Sequence, residues 1–125
     1  MNAYLIVFFG AGLGGVLRYG VNVAALRLLG PTFPYGTLTV NIVGSFIMGM
    51  LAGYFALKAD PGQAWRLFLT TGMMGGFTTF SAFSLETALL YERGTLGLTV
   101  LYVVASVGLS IVALFVGLFI MRHLP

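Results

Sequence analysis

Met73-Met74-Gly75-Gly76-Phe77-Thr78-Thr79-Phe80-Ser81-Ala82-Phe83-Ser84 lies in the middle of an apolar run that begins near Trp65 and closes at Glu92-Arg93. The midpoint between Trp65 and Arg93 is residue 79, so a run that crosses a bilayer puts this stretch at its centre. Adjacent glycines carry the weakest helix propensity short of proline, and the reading predicts an unwound turn at Gly75-Gly76. Non-helical backbone at that depth is tolerated only where it is buried in protein or serves an ion or a polar cavity. The carbonyls of Gly75 and Thr78 are then candidates to hold a cation. The same glycines would equally let two helices touch, and spacing alone leaves both readings open.

Outward from this stretch the composition demands lipid as solvent. Of 125 residues 59% are hydrophobic and only 7% charged, with 18 glycines, no cysteine and a mean hydropathy of +1.03, against about 25% charged in an ordinary soluble domain. A water-soluble globule is excluded. Four apolar runs are legible, at about 3–29, 37–57, 65–92 and 95–121, and at about 20 residues per crossing they leave no room for a soluble domain. The expected class is all-α and integral to the membrane, one four-helix domain with its third helix broken at mid-membrane. No run alternates with period two, which sets a barrel aside. Gly30-Pro31, the Lys58 to Gly62 segment and Arg93-Gly94 punctuate the helices, and Tyr35, Tyr54, Trp65 and Tyr91 fall near their ends as an interfacial belt would place them. Met1 to Tyr4 lacks a basic leader, so the first span is expected to stay in the product. The formal charge of +3 is scattered over loops at headgroup level and gives no reason to expect a nucleic acid partner.

The cations do not choose a side. With four crossings Lys58, Arg66 and Arg122 fall on one face and Arg18, Arg27 and Arg93 in the other half, three against three. Orientation normally follows a Lys/Arg bias. A chain without one is expected to insert both ways round and pair as an antiparallel, dual-topology homodimer. Size points the same way, since four helices hardly enclose a pathway of their own. Gly10-xxx-Gly14, Ser45-xxx-Gly49-xxx-Gly53 and Gly72-xxx-Gly76 permit close helix contact, either between chains or within one.

Other residues depart from a bland lipid-facing pattern. Phe80 and Phe83 are three apart, as are Ser81 and Ser84, so rings and hydroxyls form adjacent stripes. A phenyl rim is positive and attracts anions, although a phenylalanine stripe is also what core or lipid contact looks like. Thr37, Thr39, Asn41 and Ser45 lie on the second span, and Tyr102, Ser106 and Ser110 make a line spaced four apart on the fourth. All can donate a hydrogen bond and none is a carboxylate, a file that suits a small anion exchanging hydration water for donors, or that simply glues helices together. Arg18, well inside the first span, should face protein or a water-filled vestibule where it concentrates anions, unless it snorkels. Glu86 either pairs with an arginine or lines the path near its mouth. Glu92, Arg93 and His123 read as solvated flanks.

Three segments together carry a resemblance. Gly14-Gly15-Val16-Leu17-Arg18-Tyr19, Gly36-Thr37-Leu38-Thr39-Val40-Asn41-Ile42-Val43-Gly44-Ser45-Phe46 and Gly75 through Ser84 resemble the Fluc (CrcB) family of bacterial fluoride channels in sequence, order and span number. The resemblance implies a homodimer in the bacterial inner membrane with two fluoride pathways that let the ion leave passively, lowering its cytoplasmic concentration. It implies a structural sodium ion on the two-fold axis, held by the carbonyls of Gly75 and Thr78. Phe80 and Phe83 would form an aromatic box and Asn41 a donor in the path. Tyr102, Ser106 and Ser110, with Thr37, Ser81 and Ser84, would form its polar track, and Arg18 would sit toward a vestibule. The chain departs from the family pattern at Ala82, where a threonine is common.

No phosphate-cradling Gly-Lys motif, metal-binding histidine pair or Ser-His-Asp set is present, so an enzyme is not expected. The competing class is a proton-coupled exporter of the small multidrug resistance type, also a short dual-topology dimer. It needs a carboxylate inside its first span, and this chain has Arg18 there.

Overall fold

The computed structural model describes residues 2–125; Met1, part of the leader reading above, lies outside them. The first helix is set by Asn2, whose side-chain oxygen accepts the Tyr4 N–H at 2.6 Å. It runs as α1 (Ala3–Leu29) until Gly30, at φ 85°, and Pro31 end it. α2 (Tyr35–Leu57) follows Pro34, and the last helix, Leu96–His123, ends beside the terminal Pro125. These three are long and apolar enough to cross a membrane, and the described residues form no strand. The protein is an all-helical, multi-pass membrane chain.

Between Lys58 and Thr95 the backbone is helical in pieces. α3 (Gln63–Arg66) leads into a π-helical segment, Leu67–Met74, then α4 (Gly75–Phe77), two extended residues, and α5 (Phe80–Glu92); Leu96–His123 is α6. Thr78 (φ −87°, ψ 159°) and Thr79 (φ −152°, ψ 122°) are the extended pair. The unwinding expected at Gly75-Gly76 therefore falls a few residues later. Both glycines are helical, Gly75 at φ −61° and ψ −38°. Packing explains the difference: a Cβ on Gly76 would overlap the Ala11 carbonyl of α1, so this glycine provides a helix contact. β-Branched threonines accept extended backbone more readily than most residues.

The glycines of the three small-residue spacings all make close contacts inside the chain. The π-turns bring backbone against α1, where a Cβ on Gly10 would lie 2.7 Å from the Phe68 carbonyl oxygen and 2.9 Å from Gly72 Cα. Gly14 meets the Met73 carbonyl even more closely. α2 packs along α6, with Gly49 against the Leu114 carbonyl and Gly117 against that of Phe46. These contacts set the helices closer than side chains would allow, the usual way apolar helices associate in lipid.

The core sits between α2, α5 and α6, where Thr37, Val40, Leu90 and Tyr102 are the most completely buried large side chains. Tyr4, Phe8, Tyr19, Phe115 and Phe119 face outward, as a lipid solvent permits. In the Lys58–Gly62 loop the Gly62 N–H and the Arg66 guanidinium, 2.7 Å from Asp60, hold the Asp60 carboxyl below its usual range. Lys58 donates to the Leu124 carbonyl and ties this loop to the C-terminal tail.

Candidate functional site

The two threonines at the interruption are held from three sides. Thr79 caps α5, its Oγ1 accepting the Ala82 N–H at 3.2 Å and lying 3.3 Å from Ser81 Oγ. Thr78 directs both its N–H and its Oγ1 to the Met74 carbonyl, at 3.0 and 2.9 Å. Asn41 of α2 supplies the rest: its Nδ2 donates to the Thr79 carbonyl at 3.0 Å, and the Thr79 N–H donates to its Oδ1 at 2.8 Å. One carboxamide thus pairs both peptide groups of a single residue as a neighbouring strand would. This fixes which way the amide points and leaves one Asn41 N–H for any other acceptor.

The consequence for the carbonyls is direct. With the Thr79 N–H on Asn41 and the Ala82 N–H on Thr79 Oγ1, the carbonyls of Gly75 and Thr78 lose the amides four residues on that would cover them in a continuous helix. The Gly76 carbonyl is covered instead by Arg18, whose Nε donates to it at 3.0 Å. A cation at the closing end of a helical run is electrostatically favourable, and the guanidinium keeps further donors.

A cavity of about 360 Å³ opens beside the interruption, walled by Asn41, Ser45, Gly75, Thr78, Phe80, Phe83, Ser106 and Ser110 among others. No titratable side chain among the described residues lines it. Ser106 is 5% exposed, and the Oγ atoms of Ser106 and Ser110 are buried without a hydrogen-bond partner among the described residues. Two turns before Ser106, Thr99 behaves differently, donating to the Thr95 carbonyl at 2.9 Å. The line of Tyr102, Ser106 and Ser110 is therefore a row of hydroxyls along one face rather than a chain of mutual bonds. Ser81 and Ser84 lie on the exposed side of α5, and the Ser84 hydroxyl donates to the Phe80 carbonyl at 3.0 Å.

Aromatic rings continue the wall away from the interruption. Phe80, 77% exposed, has its centroid 5.6 Å from Phe83; Phe83 is 5.3 Å from Tyr102, Tyr102 5.5 Å from Phe33, and Phe33 5.1 Å from Tyr35. This ladder ends at a second cavity of about 530 Å³ that includes Asn22, Gly36, Thr37, Glu86 and Arg93 in its lining.

Glu86 stands at its inner end. Thr37 Oγ1 donates to Oε1 and the Tyr102 hydroxyl to Oε2, each at 2.9 Å. Of the two roles left open for Glu86, the structure gives it no arginine partner and places it on a cavity wall. It also corrects the view of the polar tract as free of carboxylates, since Glu86 joins two members of the tract through contacts between residues distant in sequence. Asn22 was overlooked. The available signal was its spacing, one turn beyond Arg18 on the same face of α1.

Residues 5–118 match the family described as CrcB-like protein, Camphor Resistance (CrcB). The chain is 59% identical over 124 residues to the fluoride-specific ion channel FluC of Granulibacter bethesdensis, covering 99% of this chain and 98% of that one. It is 54% identical over 121 residues to the fluoride-specific ion channel FluC 2 of Nitrobacter hamburgensis, at 97% and 98% coverage. To the fluoride-specific ion channel FluC of a Methylobacterium strain it is 58% identical over 119 residues, 95% of each chain.

Proposed function

The chain belongs to the CrcB-like family, and from that membership we propose that it is a fluoride-specific channel rather than an enzyme, exporting fluoride passively. The observation that carries this reading is the cavity beside Thr78 and Thr79. It combines two buried hydroxyls with no acceptor, two phenyl rings and no carboxylate. Fluoride is small and tightly hydrated, so a selective route must replace water with close donors, which hydroxyls and positive ring rims supply. The one uncommitted N–H of Asn41 faces the same role. Arg18 beside the interruption raises the local concentration of anions.

Gln63–Glu92 is read here as the third of four crossings, interrupted at Thr78 and Thr79 near mid-membrane, and the working unit as an antiparallel, dual-topology homodimer in a bacterial inner membrane with two pathways. The three-against-three cation tally supports it, as does the 77% exposure of Phe80, which leaves the path unwalled in a single copy. The carbonyls of Gly75 and Thr78 fit a sodium ion. They are hard, neutral oxygens without helical amide donors, and the Gly75 side of the backbone is open, with nothing nearer to an added Cβ than the Thr70 carbonyl at 3.8 Å. Sodium there would supply positive charge to hold two interruptions together.

Purified protein reconstituted in liposomes tests the channel: a fluoride electrode should record efflux with no chloride flux and no proton coupling. Silence across repeated preparations would falsify it. The double variant Phe80→Ile with Phe83→Ile should lower flux by about tenfold or more while the dimer still forms, because isoleucine keeps the bulk and removes the ring rim. Exchanging sodium for a bulky organic cation should weaken the dimer on size-exclusion chromatography; an unchanged profile and melting temperature would remove the ion from this account.

A further inference from the structure

We infer that Asn22, level with Glu86, and Arg93, nearer the helix ends, form a second anion station in one cavity; the inference rests on the fluoride-channel reading. Thr37, Glu86, Asn22 of α1 and Arg93, which follows α5, all line the cavity of about 530 Å³, and Asn22 sits against Gly36 beside Thr37. Glu86 presents an obstacle to any anion that comes this way. Both its oxygens accept hydrogen bonds, which fixes the carboxyl group in place with its acceptor atoms on the cavity wall. A route past it needs positive charge and donors on the same wall, and Arg93 is the one cation among the described residues lining that cavity.

The geometry equips both residues. Arg93 is pinned by a single bond, Nη2 to the Thr32 carbonyl at 2.9 Å, so most of its five N–H groups stay available on a guanidinium whose place is set. Asn22 is held by shape: its carboxamide oxygen lies so close to Gly36 that a Cβ there would overlap it, and its amide has no hydrogen bond to another described residue. An uncommitted amide donor in a membrane helix, facing a cavity with an arginine, suits an ion shedding part of its hydration shell. Because the wide end of the cavity meets water, Arg93 acts there mainly by raising the local fluoride concentration.

Liposome flux with Arg93→Gln, Arg93→Lys and Asn22→Asp, in an impermeant background salt of about 0.01 M or about 1 M, tests this. The corresponding screening lengths are about 30 Å and 3 Å. Arg93→Gln should lower fluoride flux about three- to tenfold at low salt and approach the parent at high salt. Arg93→Lys should stay near the parent at both. Asn22→Asp, nearly isosteric, should lose flux by adding negative charge next to the route. Should Arg93→Gln fail to assemble, Asn22→Asp carries the test alone, since it leaves the bond to Thr32 in place. Parental flux in both Arg93→Gln and Asn22→Asp at low salt overturns the station, and so does an equal loss at both salts in Arg93→Gln, which reports packing instead. A parent that conducts no fluoride overturns the channel reading itself.

Discussion

Replacing Gly14 with alanine is expected to abolish the folded chain. The new Cβ would overlap the Met73 carbonyl and come within 2.8 Å of the Phe77 amide nitrogen, and both are main-chain atoms of the segment that leads into the interruption. Overpacking a core normally costs about 1–3 kcal/mol because side chains shift aside. Here only backbone is available to move, so about 4 kcal/mol or more is expected, enough to unfold a protein of ordinary stability. Melting in detergent followed by chromatography measures it: Gly14→Ala should elute as aggregate or melt far below the parent. Gly15→Ala is the matched comparison, because a Cβ there meets nothing within 4 Å in this chain. A well-folded Gly14→Ala protein would mean that α1 and the π-helical segment do not meet as described.

The second large effect belongs to Asn41. Asn41→Leu keeps similar bulk and removes both partners of the Thr79 peptide groups. Each buried group left unpaired costs about 1–3 kcal/mol, so the pair predicts a loss of about 2–6 kcal/mol. A continuous helix through Thr79 is the cheapest escape, and it would cover the Gly75 carbonyl again. Fluoride flux should therefore fall by well over about tenfold, in step with the loss of melting temperature. Asn41→Asp separates the two halves of the amide, since it keeps an acceptor for the Thr79 N–H and loses the donor to the carbonyl. It should fold better than Asn41→Leu and still conduct poorly. Parental flux in Asn41→Leu would show that the interruption does not depend on α2.

Which parts were readable from sequence follows from how local each determinant is. α1, α2 and α6 are fixed by continuous apolar runs and by Gly and Pro at their ends, all within a few residues of the feature they set. That something unusual happens near residue 79 was also legible, from two glycines in mid-run. Its location was not. Glycine permits unwinding, but Gly76 is needed against Ala11, while Asn41, at 38 positions' separation, provides the bonds that stabilise an extended Thr79. Glu86 was ambiguous for the same reason: its partner Thr37 is 49 residues away and on another helix. The π-helical turns left no local mark either, because they answer the close approach of Gly10 and Gly72 across two helices.

The carboxamide that completes Thr79 also says something about biosynthesis. Until α2 lies alongside, an extended Thr79 in hydrocarbon would expose both of its peptide groups, at several kcal/mol each. Before α2 docks, the Gln63–Glu92 segment in lipid would be cheaper as one uninterrupted helix, with the Thr79 N–H returned to the Gly75 carbonyl. The opening at Thr78 and Thr79 is thus expected to form when α2 docks against this segment within one copy. A single copy with α2 docked therefore already carries the interruption, which reports α2 docking rather than pairing with a second copy.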